Sequence, residues 1–455
     1  MCKRKYIVIS LIAFALIVLL KPLGISTNQG IILGSLVSAV ILWASSGLNR
    51  NLVSGLLLAS FIIFSKTPAK DVISFAYSDT FFLIITTTLL SVGMINSGAV
   101  NGIVSSIFYR SAKTINMVLF VPYLLGIVLV FIIPQAFARV IIMGSIYSSL
   151  ITHNNQDQLK AKQVILFNLF FAITVTYMMF LNGDIVLNGA ALSFSTASVQ
   201  GDLTSLEWFK FMALPTAFVS VISMYLIKFI FRKELAHFDE SMVRNTDLAE
   251  EKNSRKLTVI LIMFIIILLW IFEGVHGIKP WIFSTFGVVI MFLMGVLKKS
   301  DLKSVNLGFL LFLVSAFSIG KVLGNEGITE IFFQQLSTVL SSPESPIYFL
   351  LLMIVVLVLH LCIGSSVATM SVVLPILVPM VENAQINGIV ITLITYIAVN
   401  LHFMLPFHHA TMMIGAGKEY YPDSFMTRMG SFMFIAVIIM VFALYFPWWK
   451  IMGLL

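Results

Sequence analysis

Four short polar clusters interrupt otherwise apolar stretches, and they hold nearly all the chemistry the chain can offer away from its loops. They are Pro134-Gln135-Ala136-Phe137-Ala138-Arg139, Asn182-Gly183-Asp184, Gly364-Ser365-Ser366-Val367-Ala368-Thr369 and Pro406-Phe407-His408-His409. An arginine in such a place is stable only when paired or solvated, so Arg139 is expected to meet an anionic ligand or to pair with Asp184. Asp184 is the carboxylate at a break and can bind a cation, accept a coupling proton or hold Arg139. A histidine titrates near neutral pH, which suits His408 and His409 to carboxylate binding or to carrying a proton. Adjacent side chains diverge, so one of the two is expected to face the ligand. Ser365, Ser366 and Thr369 offer hydroxyls to a substrate or to sodium, or else repair helix backbone. Asn182 and Asn188 offer amides. No His-Glu-x-x-His, Gly-x-Ser-x-Gly or phosphate-binding loop is present, so the expectation is not an enzyme and not an ATPase. Cys2 and Cys362 stand in no metal-ligand spacing.

The elements that position these clusters belong to a membrane protein. Of 455 residues, 59% are hydrophobic and 11% charged, with a mean hydropathy of +1.02, more apolar surface than a soluble core can hide. The net charge of +8 sits in Lys and Arg between apolar segments, as in cytosolic loops facing anionic lipid, and does not indicate nucleic acid. Met1 to Lys21 has a basic start and an apolar stretch without a convincing cleavage site, and is read as the first membrane helix.

Apolar spans are expected near 6–21, 29–47, 51–65 and 81–108. Residues 115–152 read as a re-entrant hairpin with its tip at Pro134 to Arg139, because Val140 to Ile151 is too short to cross. A broken helix follows over 163–197, then a span at 207–231 and a charged linker at 232–256. The second half repeats the order: spans near 257–274 and 281–297, an apolar stretch at 305–331, a hairpin at 346–382, a broken helix at 388–417 and a last helix at 430–448. Ser315 to Gly320 answers Thr88 to Gly93 at an offset of 227. These segments divide into 1–80, 81–231, the linker, 257–304 and 305–455. The fold class expected is an all-α polytopic membrane protein with inverted-topology repeats, about eleven crossings and two re-entrant hairpins. The Lys and Arg distribution puts the N-terminus in the cytoplasm and the C-terminus outside a plasma membrane.

Backbone that leaves helical form at membrane depth exposes unpaired N–H and C=O groups, tolerated where they line a cavity. Helix N-termini at hairpin tips favour an anion. The expectation is therefore secondary transport of a small organic anion. A proton-coupled exporter or flippase of an amphiphilic anion, and a non-transporting assembly or sensory protein, are the alternatives.

Pro406, His408-His409-Ala410 and Gly415-Ala416-Gly417 followed by Tyr421-Pro422 resemble the second broken helix of the divalent anion/sodium symporter family of dicarboxylate and citrate carriers. Ser365 to Thr369 with Leu374-Pro375 resembles its second hairpin motif. The resemblance implies a homodimer in which scaffold helices hold an elevator-type transport domain, with a di- or tricarboxylate as substrate. It implies a site at Ser365 to Thr369 and His408 to Thr411, with mates at Gln135 to Arg139 and Gly183 to Asn188. Sodium is implied at Ser365, Ser366 and Ala368. Gln135-Ala136-Phe137-Ala138 replaces the family's Ser-Asn-Thr-Ala and Ser366 replaces an asparagine, which leaves sodium and proton coupling both open.

Overall fold

The computed structural model describes residues 2–45, 48–111, 113–133, 135–243, 254–339, 346–404 and 408–455. Among them the chain is helical, with one isolated bridge between Ile151 and Val243 and no sheet. Among the described residues six helices are long and apolar enough to cross a membrane: Asp79–Ser97, Gln156–Met179, Ser205–Ile230, Leu307–Asn325, Ser366–Asn383 and Asp423–Ile451. Leu19, Phe229, Phe286, Leu293 and Ile435 lie exposed on the outside, which water would penalise and lipid would not.

The first half contains α1 (Cys2–Leu20), α2 (Thr27–Ser45), α3 (Arg50–Phe64), α4 (Asp79–Ser97), α5 (Ala99–Ser111), α6 (Ile115–Val130), α7 (Ala136–Leu150), α8 (Gln156–Thr176), α9 (Leu187–Ser193) and α10 (Ser205–Ile230). The second contains α11 (Ser254–Ile271), α12 (Pro280–Leu293), α13 (Leu307–Asn325), α14 (Ile328–Val339), α15 (Pro346–Ile363), α16 (Ser366–Asn383), α17 (Gly388–Leu401), α18 (Ala410–Gly417) and α19 (Asp423–Met440). A π-helical turn over Val441–Tyr445 carries α19 into Phe446–Ile451.

Polar residues just before helices start them. Ser78, Thr114, Asn155, Thr204 and Asn306 each accept a hydrogen bond from a backbone N–H in the first turn that follows. Asn155 thus caps α8.

Several boundaries differ from the sequence reading. The apolar stretch 81–108 is two helices, because Gly98 takes a left-handed φ of 61° between α4 and α5. The stretch 305–331 divides likewise, with Gly327 at φ 69° between α13 and α14. Glycine enters this region without the steric penalty other residues meet. The first broken helix leaves α-helical form at Thr176, and two short 3₁₀ turns carry it to α9. The last helix starts at Asp423, ahead of residue 430. Of the linker 232–256, residues 244–253 lie outside the described residues.

The halves interlock. α3 packs on α13, and α12 packs on α4, so one pairing is made twice with the halves exchanged. α8 is surrounded by α6, α7, α10 and α18, while α17 is enclosed by α15, α16 and α19. Every one of the 14 residues of α17 is buried.

Candidate functional site

Four helix interruptions surround a common space. An inner cavity of about 150 Å³ is lined by Phe137 from the first, Asp184 and Val186 from the second, Gly364, Ser365 and Ser366 from the third, and His408, His409, Ala410 and Thr411 from the fourth. Pro134, Pro406 and Phe407, which belong to the first and fourth clusters, lie outside the described residues. A larger, open cavity of about 910 Å³ adjoins it and shares Trp43, Arg50, Phe137, Val186 and Phe309 with it. Gln135 and Ala138 line this outer space.

The first interruption is tied down on both sides. Gln135 precedes α7, and its amide nitrogen donates to Thr87 Oγ1 at 3.2 Å and Thr88 Oγ1 at 2.8 Å, fastening it to α4. Arg139 in the first turn of α7 is fully buried and lines neither cavity. Its Nη1 donates to the Ile133 carbonyl at 2.9 Å and its Nη2 to the Gly183 carbonyl. One guanidinium therefore satisfies main-chain acceptors from two interruptions of the first half. Among the described residues no carboxylate lies within ion-pair distance of it: the Arg139–Asp184 pair weighed from sequence is not formed. Asp184 Oδ1 instead accepts from the Val186 N–H at 3.1 Å and closes the local turn.

A buried polar network joins the halves. His409 Nε2 lies 3.1 Å from the Tyr177 hydroxyl, and Nδ1 lies 2.7 Å from Thr411 Oγ1, which meets Thr174 Oγ1 at 2.9 Å. The Tyr177 hydroxyl also donates to Asn400 Oδ1. With its proton so used, Tyr177 accepts from His409 Nε2–H, and the Thr411 hydroxyl donates to Nδ1. Asn188 accepts from the Tyr396 hydroxyl at 2.6 Å and donates to the Phe180 carbonyl at 2.8 Å. Gly183 permits this turn, since a Cβ there would collide with the Tyr177 carbonyl.

The third interruption opens with Gly364 at φ 68°. Ser366 Oγ donates to the carbonyls of Val399 at 3.1 Å and His408 at 3.3 Å, joining α16 to α17 and to the entry of α18. Thr369 Oγ1 donates to the Ser365 carbonyl at 2.9 Å and lies 3.0 Å from His360 Nδ1.

Of the residues singled out from sequence, Asp184, Ser365, Ser366, His408, His409 and Thr411 thus share the inner wall and Gln135 lines the outer one. Arg139, Asn182, Asn188, Ala368 and Thr369 line neither. Sequence reasoning missed Arg50, which it treated as a cytosolic loop charge. Among the described residues Arg50 is the only charged side chain in the outer wall, and it enters the inner one as well. Its signal was Asn49-Arg50-Asn51, a polar cluster between two apolar segments. His360 and His402 were missed too, although a histidine inside an apolar run marks an intramembrane ionisable group.

Residues 3–455 match the family described as the sodium:sulfate symporter transmembrane region. No curated protein matches the chain. Among solved structures, the YdaH transporter of Alcanivorax borkumensis, described as having an unusual topology, superposes with a TM-score of 0.53. The match spans 81% of this chain and 85% of that one at 14% identity. At that identity the likeness concerns the fold.

Proposed function

From the premise that this chain belongs to the sodium:sulfate symporter transmembrane family, a family of transporters and not of enzymes, we propose that it carries a small organic anion, a di- or tricarboxylate. Its family and its long apolar helices support a multi-pass, sodium- and anion-coupled secondary transporter. The observation that carries the organic-anion reading is the meeting of four helix interruptions at one cavity, beside an outer space whose only charged side chain among the described residues is Arg50. Main-chain groups freed at such interruptions replace water around a solute, and a lone cation in the wall selects for negative charge.

In this reading the anion enters past Arg50 and Gln135 and is held by Ser365, Ser366, His408 and Thr411. Asp184, the two serines and His409 serve the coupling ion or proton. A sodium ion would draw on oxygens at Ser365, Ser366 and Ala368, as hard cations prefer. Arg139, Asn182, Asn188 and Thr369 support the site from behind. The doubled element order and the exchanged α3–α13 and α12–α4 pairings favour two inverted repeats, with 115–152 and 346–382 as re-entrant hairpins. The further proposal is a homodimer in the plasma membrane, N-terminus cytoplasmic, with an elevator-like transport domain.

The test is uptake of labelled succinate, malate and citrate into proteoliposomes under imposed sodium or proton gradients. At about 5 Å and an effective dielectric of about 20, one charge attracts another by about 3 kcal/mol. Arg50 is solvent-exposed, which reduces this to about 1 kcal/mol at most. Arg50→Gln should therefore raise the apparent KM by up to about fivefold. Absence of uptake for every anion under both gradients would sink the proposal. The outer cavity's about 910 Å³ and its Trp43, Phe137 and Phe309 wall also suit an amphiphilic anion. Export of such a substrate with silence toward carboxylates would select that second reading.

A further inference from the structure

We propose that His360, His402 and His408 form a binding site for a first-row divalent transition cation, with Zn²⁺ the best match. The three side chains come from α15, the end of α17 and the segment entering α18, and all are buried. Their rings form a nearly equilateral triangle, with centroids 5.5 Å apart for His360–His402, 5.2 Å for His360–His408 and 5.5 Å for His402–His408. One ring nitrogen from each falls within 4.8 Å of the other two.

His402 points most directly to a ligand. It is 0% exposed, and neither Nδ1 nor Nε2 has a hydrogen-bond partner. A buried imidazole left so is disfavoured, and a cation would use its lone pair. His360 is held differently: Nε2 lies 3.1 Å from the His402 carbonyl and Nδ1 is 3.0 Å from Thr369 Oγ1. Nε2 therefore donates to the carbonyl, and Nδ1 carries a lone pair that the threonine hydroxyl or a cation can use. Thr369 loses nothing if the cation takes it, because its hydroxyl then donates only to the Ser365 carbonyl.

The donor set fixes the class of ion. Among the described residues no carboxylate or thiol belongs to the cluster, so it lacks the oxygens that sodium, magnesium and calcium require. Three neutral imidazoles suit zinc, copper or nickel, and three histidines with an open fourth position are a stable zinc arrangement. Nitrogens within 4.8 Å of one another lie at most about 2.8 Å from a common centre, and an inward shift of about 0.7 Å reaches the usual zinc–nitrogen distance of about 2.1 Å. His408 also belongs to the inner cavity wall, so the site adjoins that space. An ion here would pin α15, α17 and α18 together and add two positive charges beside the cavity.

The experiment uses the full-length protein in detergent, stripped with chelator, and titrates Zn²⁺ against a competing chelator with Co²⁺ absorbance as a second readout. The result expected is one ion per chain. Loss of one ligand by His402→Gln or His360→Gln should weaken binding more than about 100-fold, since even outer-shell changes cost 10–100-fold. His153→Gln, at an exposed position, should leave it unchanged. Zinc should also raise the melting midpoint of the wild-type protein, a readout independent of how the variants fold. A wild-type protein with neither stoichiometric binding nor a shift in midpoint overturns the proposal. So does binding that survives in both histidine variants, which would mark a surface ion.

Discussion

Replacing Arg139 by Met separates two roles that sequence alone could not. If Arg139 held the anion directly, its loss would abolish transport and leave the protein's melting unchanged. The structure assigns the guanidinium to the carbonyls of Ile133 and Gly183, away from both cavities, so stability should fall as well. Each hydrogen bond from a charged donor contributes about 1.5–3 kcal/mol, and each carbonyl left buried without a partner costs about 1–3 kcal/mol. Removing a buried charge that has no carboxylate within ion-pair distance among the described residues returns part of this, which puts the net destabilisation near 3 kcal/mol. In a chain of 455 residues, at about 2 cal/mol/K per residue, that lowers the midpoint by about 3 °C. Tryptophan-fluorescence melts in detergent would read the shift, beside uptake in liposomes. Arg139→Lys keeps the charge but lacks the planar fork that reaches two acceptors, and should recover no more than half the loss. A Met variant that melts within about 1 °C of wild type yet transports nothing would refute the bridging role and restore direct anion contact.

Gly183→Ala should be as harmful without touching any charge: its Cβ would strike the Tyr177 carbonyl. A loss of about 1–3 kcal/mol, the range for overpacking, should show as a lower melting midpoint, and an unshifted melt would count against the turn as drawn. Tyr177→Phe removes the hydroxyl shared by Asn400 and His409. About 1–3 kcal/mol for two hydrogen bonds and, through His409, an altered dependence of uptake on sodium or pH are expected, whereas wild-type coupling would show that the Tyr177 hydroxyl does not act on coupling through His409.

Much of the architecture could be read from polarity alone. Polar residues interrupting apolar runs mark 182–184, which falls within the second interruption, and 135–139 and 364–369, each of which starts in a helix interruption and runs into the first turn of the helix that follows. What polarity cannot give is direction. Arg139 looks like a ligand because it stands beside the first interruption, yet it turns inward to a carbonyl 44 residues later. Gly98 and Gly327 divide apparent single spans because backbone angle, unlike hydropathy, leaves little trace in an apolar pattern. Arg50 resembles any loop cation until the packing of α3 on α13 brings it to the cavity. His360 and His402 stand 42 residues apart, and only the folding of α17 against α15 places their rings side by side.

The helices that lead into the second and fourth interruptions are sheathed in protein: 89% of the apolar window of Gln156–Met179 is buried, as are all residues of Gly388–Leu401. Hydrocarbon chains do not reach these two rods. A thicker or thinner bilayer therefore presses on the peripheral helices first, at fractions of a kcal/mol per ångström of mismatch. The rim can be tuned to a host membrane while the recognition chamber keeps its shape.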